Sequence, residues 1–122
     1  MGQALQLVNQ FYDISLKQKD ADGLRSLIAE DFAFVGPLAK TTSAEDFVAL
    51  NKQFLPAHVE TRFLYQFEAG DQVCSIYELD LRKPNGGLFT TTMADWVTVR
   101  NGRLAEQRIY YDPREFEKAY GM

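Results

Sequence analysis

The stretch Phe89–Leu104, FTTTMADWVTVRNGRL, predicts a long β-strand that ends in a tight hairpin. Side chains of a strand alternate between its two faces, so every second residue shares a surface. One face is mainly apolar and carries Phe89, Thr91, Met93, Asp95, Val97 and Val99. Asn101-Gly102 supplies the two positive φ angles that a two-residue turn requires. The stretch therefore predicts an antiparallel hairpin with one buried face.

Further turn signals on the N-terminal side of this stretch, Gly70-Asp71 and Asn85-Gly86-Gly87, divide Val59–Tyr111 into four strand-like runs. The first half has helical periodicity instead. It predicts a helix over 4–18, a short helix through 24–28, a strand over 32–35 and a capped helix from Ser43 to Phe54, and a short closing helix is expected over 115–120. Helices followed by a meander predict one α+β domain over residues 1–122, with the helices on one face of an antiparallel sheet.

Composition excludes several classes of function. The chain has 122 residues, 46% of them hydrophobic and 25% charged, which is typical of a globular domain. A net charge of −4 argues against a nucleic-acid partner. No apolar run is long enough for a membrane span and no signal peptide is recognisable, so we expect a soluble, cytoplasmic protein without membrane contact. One histidine and one cysteine make no metal-ligand spacing, and neither a metal nor a cofactor is expected.

Asp95 is the most informative polar residue, because it interrupts an apolar strand face. Burial disfavours a charged carboxyl group and raises its pKa, by up to about 3–5 units when burial is complete. A neutral Asp95 could donate a hydrogen bond, as buried protonated aspartates do in some enzyme active sites. Alternatively, Asp95 pairs with an arginine or caps a backbone group.

Tyr12 lies on the apolar stripe of the first helix, so its ring should point inward and its hydroxyl needs a partner. It is either a core residue or, if it converges with Asp95, part of a site for a developing oxyanion. Asp112, before Pro113 at a strand end, is either a turn residue or an acid at a pocket mouth. His58, in the loop that enters the first long strand, is either a solvated turn residue or a base.

The sequence resembles the nuclear-transport-factor-2-like superfamily, in its ketosteroid-isomerase and SnoaL-like branch. The similar segments are Phe11-Tyr12, Asp20, the run 29–37, the Asp95-Trp96-Val97 strand, the Asn101-Gly-Arg-Leu104 turn and the run 109–116. The resemblance implies a cone-shaped, cystatin-like α+β roll, in which a curved antiparallel sheet and three N-terminal helices enclose one apolar pocket. It also implies a homodimer through the outer sheet face, where Tyr77 and Trp96 are expected to be exposed.

Within this resemblance, Tyr12 and Asp95 match the oxyanion-hole tyrosine and protonated aspartate, and Tyr111 matches an aromatic pocket position. The isomerase's catalytic base, however, corresponds to Gly36. General-base catalysis contributes about 10²–10⁴ in rate, so Δ5-3-ketosteroid isomerisation should be absent or feeble. Asp112, or less readily His58, could supply a base from elsewhere.

The expected function is a pocket for a small hydrophobic ligand, with acid–base isomerase, cyclase or hydratase chemistry on a carbonyl compound. The alternatives are a binder without turnover and a dimeric interaction module. The candidate catalytic residues are Tyr12, Asp95 and Asp112. The candidate pocket residues are Phe34, Phe54, Phe63, Met93, Val97 and Tyr111.

Overall fold

The computed structural model describes residues 2–122, and its framework is a curved, open sheet of six strands in the order β2-β1-β6-β5-β4-β3. The strands are β1 (Ile28–Val35), β2 (Lys40–Thr41), β3 (His58–Ala69), β4 (Gln72–Arg82), β5 (Leu88–Arg100) and β6 (Arg103–Tyr110). The predicted turns connect β3 to β6 as a continuous meander. Asn101 and Gly102 both have positive φ, as their turn requires.

The helices pack on the concave face of this sheet and give the cone-shaped α+β fold that the sequence predicts. They are α1 (Gln3–Tyr12), which continues as a π-helical turn over Asp13–Lys17, then a 3₁₀ helix over Asp22–Ser26, α2 (Ala44–Phe54) with a 3₁₀ turn over Leu55–Ala57, and α3 (Pro113–Tyr120). Ser43 caps α2 by accepting a 3.1 Å hydrogen bond from the Asp46 amide. None of these helices, within residues 2–122, is long and apolar enough to cross a bilayer.

Two local expectations are corrected by the structure. The strand pair β1–β6 is parallel, whereas the other pairs are antiparallel. The predicted second helix ends earlier than its apolar pattern suggests, because Ile28 already begins β1 and pairs with Leu104. The Leu104 amide donates a 2.9 Å hydrogen bond to the Leu27 carbonyl, which joins this corner to the sheet.

The alternation along β5 is the predicted one, since Met93, Asp95 and Val97 are all buried on the concave face. Tyr77, expected on the outer face, is instead buried on the concave face. Its strand neighbours Glu78 and Asp80 point outward, so strict alternation requires Tyr77 to point inward. Trp96, by contrast, is 40% exposed on the outer face.

Candidate functional site

A cavity of about 310 Å³ lies between the concave face of the sheet and helices α1, α2 and α3. Most of its wall is aromatic or aliphatic, and the predicted pocket residues that line it are Phe34, Phe54, Met93 and Tyr111. Phe63 and Val97 do not line it. The half-exposed Phe63 ring packs behind Tyr12 and Tyr77, at centroid distances of 4.9 Å and 5.3 Å, and Val97 is fully buried in the core.

Asp95 lies in the cavity wall and is completely buried. Its Oδ2 atom accepts hydrogen bonds from the Tyr12 hydroxyl at 2.7 Å and from the Tyr77 hydroxyl at 3.2 Å. The Gln107 side-chain amide donates to both carboxyl oxygens, at 3.0 Å to Oδ1 and 2.9 Å to Oδ2. Among the described residues this carboxyl group is therefore held by uncharged donors, and neither an arginine nor a backbone amide binds it.

Each donor reaches Asp95 from a different secondary-structure element. Tyr12 is the last residue of α1, immediately before the π-helical turn, a feature that is frequent at functional sites. Tyr77 lies on the neighbouring strand β4, and Gln107 lies on β6 at the other side of β5. Asp95 itself stands opposite Ser75 and Ile109 in the sheet. The site therefore consists of residues from three adjacent strands, β4, β5 and β6, and of Tyr12 from α1, which covers them.

Burial raises the pKa of Asp95 from 3.8 to about 6, and the hydrogen bonds from Tyr12, Gln107 and Tyr77 limit the rise. The direction agrees with the sequence-based expectation. The hydroxyls of Tyr12 and Tyr77 and the Gln107 amide all donate to Asp95, an arrangement that favours its ionised form, in which it accepts hydrogen bonds rather than donating one. Burial, followed by the Asp95 charge, raises the pKa of both tyrosine hydroxyls well above their usual range, so both remain protonated.

The hydrogen-bond arrangement therefore differs from the expected oxyanion site. The hydroxyl protons of Tyr12 and Tyr77 both point to Asp95 and are not available to a ligand oxygen. A carboxylate has about four acceptor positions, two on each oxygen. Oδ2 is fully used, whereas Oδ1 accepts only from Gln107 and keeps one free position. Asp95 can consequently accept a proton or a hydrogen bond from a molecule in the cavity.

Asp112 does not line the cavity, which corrects the expectation that it acts as the base. It is the N-cap of α3, where Oδ1 accepts a 3.0 Å hydrogen bond from the Arg114 amide, and it also forms an ion pair with the Arg114 side chain. These hydrogen bonds from Arg114 lower the pKa of Asp112. Asp112 therefore has the role of a turn and capping residue, the alternative that its position before Pro113 left open.

His58 and Gly36 supply no base to the cavity either. His58 is buried at the start of β3, where Nδ1 contacts the Lys19 ammonium and Nε2 lies 2.6 Å from the Thr61 hydroxyl. Burial and the Lys19 charge lower the pKa of His58 to about 4. A Cβ at Gly36 would lie 3.1 Å from Ile109 Cγ1, so an acid there would crowd the cavity wall. Among the described residues that line the cavity, Asp95 is the one acid.

Tyr77 and Gln107 are the site residues that the sequence-based prediction missed. Strand alternation was the signal that could have found both. Glu78 and Asp80 on one face of β4 require Tyr77 on the other, and Gln107 lies two residues from Ile109 on the cavity side of β6. A polar residue in such a row marks a group that needs a buried partner.

Comparison with known proteins places these features in a wider group. The model of the SnoaL-like domain family matches residues 8–107. This range contains Tyr12, Tyr77, Asp95 and Gln107. No curated protein matches the sequence.

Several solved structures share the fold at low sequence identity. An NTF2-like protein of unknown function from Burkholderia pseudomallei K96243 has a TM-score of 0.86 at 17% identity, with 100% of both chains covered. A candidate SnoaL-like polyketide cyclase from Jannaschia sp. CCS1 has a TM-score of 0.85 at 17% identity, with 96% of this chain and 90% of that chain covered. A candidate isomerase from Bacillus subtilis has a TM-score of 0.83 at 18% identity, with 98% and 93% covered. At these identities the similarity establishes the fold alone.

Proposed function

The chain belongs to the SnoaL-like domain family, and we propose that it binds a small, mainly hydrophobic carbonyl compound. Asp95 takes a proton from one atom of this compound and returns it to another. The observation that carries the proposal is a buried carboxyl group in the wall of a mainly apolar cavity. An apolar pocket with a few convergent polar groups is the usual form of a small-molecule site. Structural neighbours named as a candidate cyclase and a candidate isomerase support a reaction of this kind.

One carboxyl group is sufficient for such a reaction, because an isomerisation or an internal aldol cyclisation consumes no net proton. Asp95 accepts the proton from the carbon next to the carbonyl, and the electron pair of the broken C–H bond moves towards the carbonyl oxygen. The neutral Asp95 then returns its proton to the oxygen or to another carbon. A pKa of about 6 suits both steps near neutral pH, since an efficient acid–base group titrates close to the working pH.

Tyr12, Tyr77 and Gln107 position the Asp95 carboxylate in this scheme. Their hydrogen bonds fix its orientation in the wall and keep its pKa from rising further. Asp95 is completely buried from solvent, and the low polarity around it strengthens its interaction with a ligand. This assignment replaces Asp112 by Asp95 as the base.

The proposal is tested by hydrogen–deuterium exchange on 2-tetralone, a bicyclic ketone with exchangeable protons next to its carbonyl. The loss of these proton signals in D₂O is followed by NMR with and without the protein. We expect the wild type to accelerate the exchange. Asp95→Asn should lose the acceleration by about 10² or more, the usual contribution of a general base.

Asp112→Asn is the matched control, because it makes the same chemical change at an acid outside the cavity and keeps a side chain that can cap α3. We expect this variant to exchange 2-tetralone at the wild-type rate. An equal loss in both variants would contradict the assignment of the base to Asp95.

The second candidate function is ligand binding without turnover, which Gly36 and the position of Asp112 support, since neither residue supplies a second acid to the cavity. Binding of 2-tetralone without accelerated exchange would favour this candidate. An interaction module would be expected to have a filled interior, so the cavity supports either small-molecule function over that alternative.

A further inference from the structure

Around Asp95, the cavity wall has more hydrogen-bond acceptors than donors that can pair with them. The hydroxyls of Tyr12 and Tyr77 are both used on Asp95 Oδ2. Two acceptors remain: the free position on Asp95 Oδ1 and the side-chain oxygen of Gln107. Gln107 Oε1 is buried and has no hydrogen-bond partner among the described residues.

An unpaired buried acceptor is unusual. Most buried polar atoms in folded proteins have a partner, and leaving one without costs about 1–3 kcal/mol. Turning the Gln107 amide over does not relieve the problem, because its oxygen would then face the Asp95 carboxylate, which is also an acceptor. The ionised Asp95 thus fixes the amide with its nitrogen on the carboxylate and leaves its oxygen for another donor.

Gln107 is only 6% exposed and lies in the cavity wall beside Asp95. A donor for Oε1 can therefore come from a molecule in the cavity. The same molecule can use the free position of Asp95 Oδ1, since one Gln107 nitrogen contacts both carboxyl oxygens and keeps the two side chains adjacent.

We propose that the ligand of this cavity presents two neighbouring hydroxyl donors, one to Asp95 Oδ1 and one to Gln107 Oε1. This inference rests on the proposed proton transfer and names its substrate class: hydrophobic hydroxy-carbonyl compounds whose enol form carries two adjacent hydroxyl groups. A simple ketone such as 2-tetralone can enter the apolar cavity but offers no hydroxyl donor to either acceptor, and the same holds for an ether. The aromatic and aliphatic remainder of the cavity holds the hydrocarbon part of the same molecule.

The test uses a series of naphthalenes that differ only in their donors: naphthalene, 2-naphthol, 2,3-dihydroxynaphthalene and 2,3-dimethoxynaphthalene. Dissociation constants are measured by calorimetry. The wild type should bind the diol about tenfold more tightly than 2-naphthol, the effect of one well-placed buried hydrogen bond. The dimethoxy compound has the same substitution pattern without a donor and should bind no better than naphthalene.

Gln107→Met removes the acceptor and keeps the length of the side chain. It should bind the diol and 2-naphthol equally, while it still prefers 2-naphthol over naphthalene through Asp95. Gln53→Met makes the same change at an exposed position of α2 and should keep the tenfold preference. The wild-type series needs no variant, so the inference remains testable if Gln107→Met fails to fold.

The outcomes separate the two proposals. Equal wild-type affinity for 2-naphthol and the diol, or an undiminished preference in Gln107→Met, would overturn the two-hydroxyl inference and leave the proton-transfer function standing. If none of the four compounds binds, the cavity is not a site for such molecules and the proposed function fails with the inference.

Discussion

At the scale of single residues, Asp95 combines complete burial with three uncharged donors. The donors stabilise the ionised form, but less than water would, so the pKa of the carboxyl group is raised to about 6 instead of lowered. Tyr12 on α1 and Tyr77 on β4 are the titratable groups that face it, and both stay neutral. A proton acceptor inside an apolar wall therefore lowers the free energy of unfolding when it is ionised.

This cost predicts how the stability of Asp95→Asn depends on pH. The pKa of Asp95 is higher in the folded chain than in the unfolded chain, so ionisation disfavours folding as pH rises from about 4 to about 6. The free energy of unfolding of Asp95→Asn, relative to wild type, should therefore increase over this window, by roughly 3 kcal/mol for a two-unit shift. Gln107 can turn its oxygen to the new amide, so the variant keeps its hydrogen bonds. Urea unfolding at pH 4 and pH 7 measures the difference.

Asp112→Asn is the control, and its effect on stability should depend on pH in the opposite direction. The pKa of Asp112 is lowered in the folded state by Arg114, so its ionised form supports folding at pH 7 and this support disappears as pH falls. This variant should be slightly less stable than wild type at pH 7 and equal to it in acid. A pH-independent difference for Asp95→Asn would show that the carboxyl group is not desolvated.

At the scale of elements, the position of Tyr12 depends on how α1 is attached to the sheet. Glu68 of β3 accepts hydrogen bonds from the Gly2 and Leu5 amides, at 3.0 Å and 2.8 Å, and so caps the start of the helix. A Cβ at Gly2 would collide with the Glu68 carboxylate, so a larger residue there would displace this side chain and weaken the cap. A negative charge at a helix N-terminus is also favourable to the helix dipole.

Glu68→Ala should lower the free energy of unfolding by about 1 kcal/mol, because it removes both the cap and the charge. Glu68→Gln keeps an acceptor and should lose less. Glu117→Ala, at an exposed position of α3, is the control and should leave stability unchanged. Chemical denaturation compares the three variants, and a neutral Glu68→Ala would mean that water replaces this cap without cost.

At the scale of the whole molecule, the outer face of the sheet carries an aromatic patch. It consists of Tyr65, Phe67, Ile76, Trp96 and Tyr110, on four adjacent strands. Tyr65 is 63% exposed and Phe67 is 58% exposed. The neighbouring part of the same face is polar, with Arg62 paired to Asp80 at 2.7 Å. A contiguous apolar patch with a polar border is typical of an interaction surface.

We propose that a second copy of the chain covers this aromatic patch. Sedimentation at tens of micromolar should then give twice the chain mass of 13.9 kDa. Phe67→Glu should produce a monomer, since a charge buried in an apolar interface is costly. Leu88→Glu, at a residue of similar exposure separated from the patch by Thr90 and Thr92, should remain dimeric. A wild-type monomer would exclude this assembly.

The sequence by itself determined the features that local chemistry decides. Asn101-Gly102 specifies a hairpin, and Ser43 caps the start of α2. The alternation along Phe89–Arg100 places Asp95 on the buried face. These follow from the dihedral angles of a few neighbouring residues and from the two-residue period of a strand. The burial of Asp95 and the direction of its pKa shift were predictable for the same reason.

Only the tertiary structure decided which groups meet at Asp95 and what they do there. Tyr12, Tyr77 and Gln107 lie 83, 18 and 12 residues from it in the sequence. Strand order and register bring them together, and no local pattern encodes which hydroxyl proton is used on which oxygen. For Asp112 the local pattern was misleading. Its place after a strand suggested an acid at the pocket mouth, whereas its hydrogen bonds with Arg114 keep it outside the cavity. Hydrogen-bond partners are chosen by three-dimensional distance and direction, and these exist only once the chain is folded.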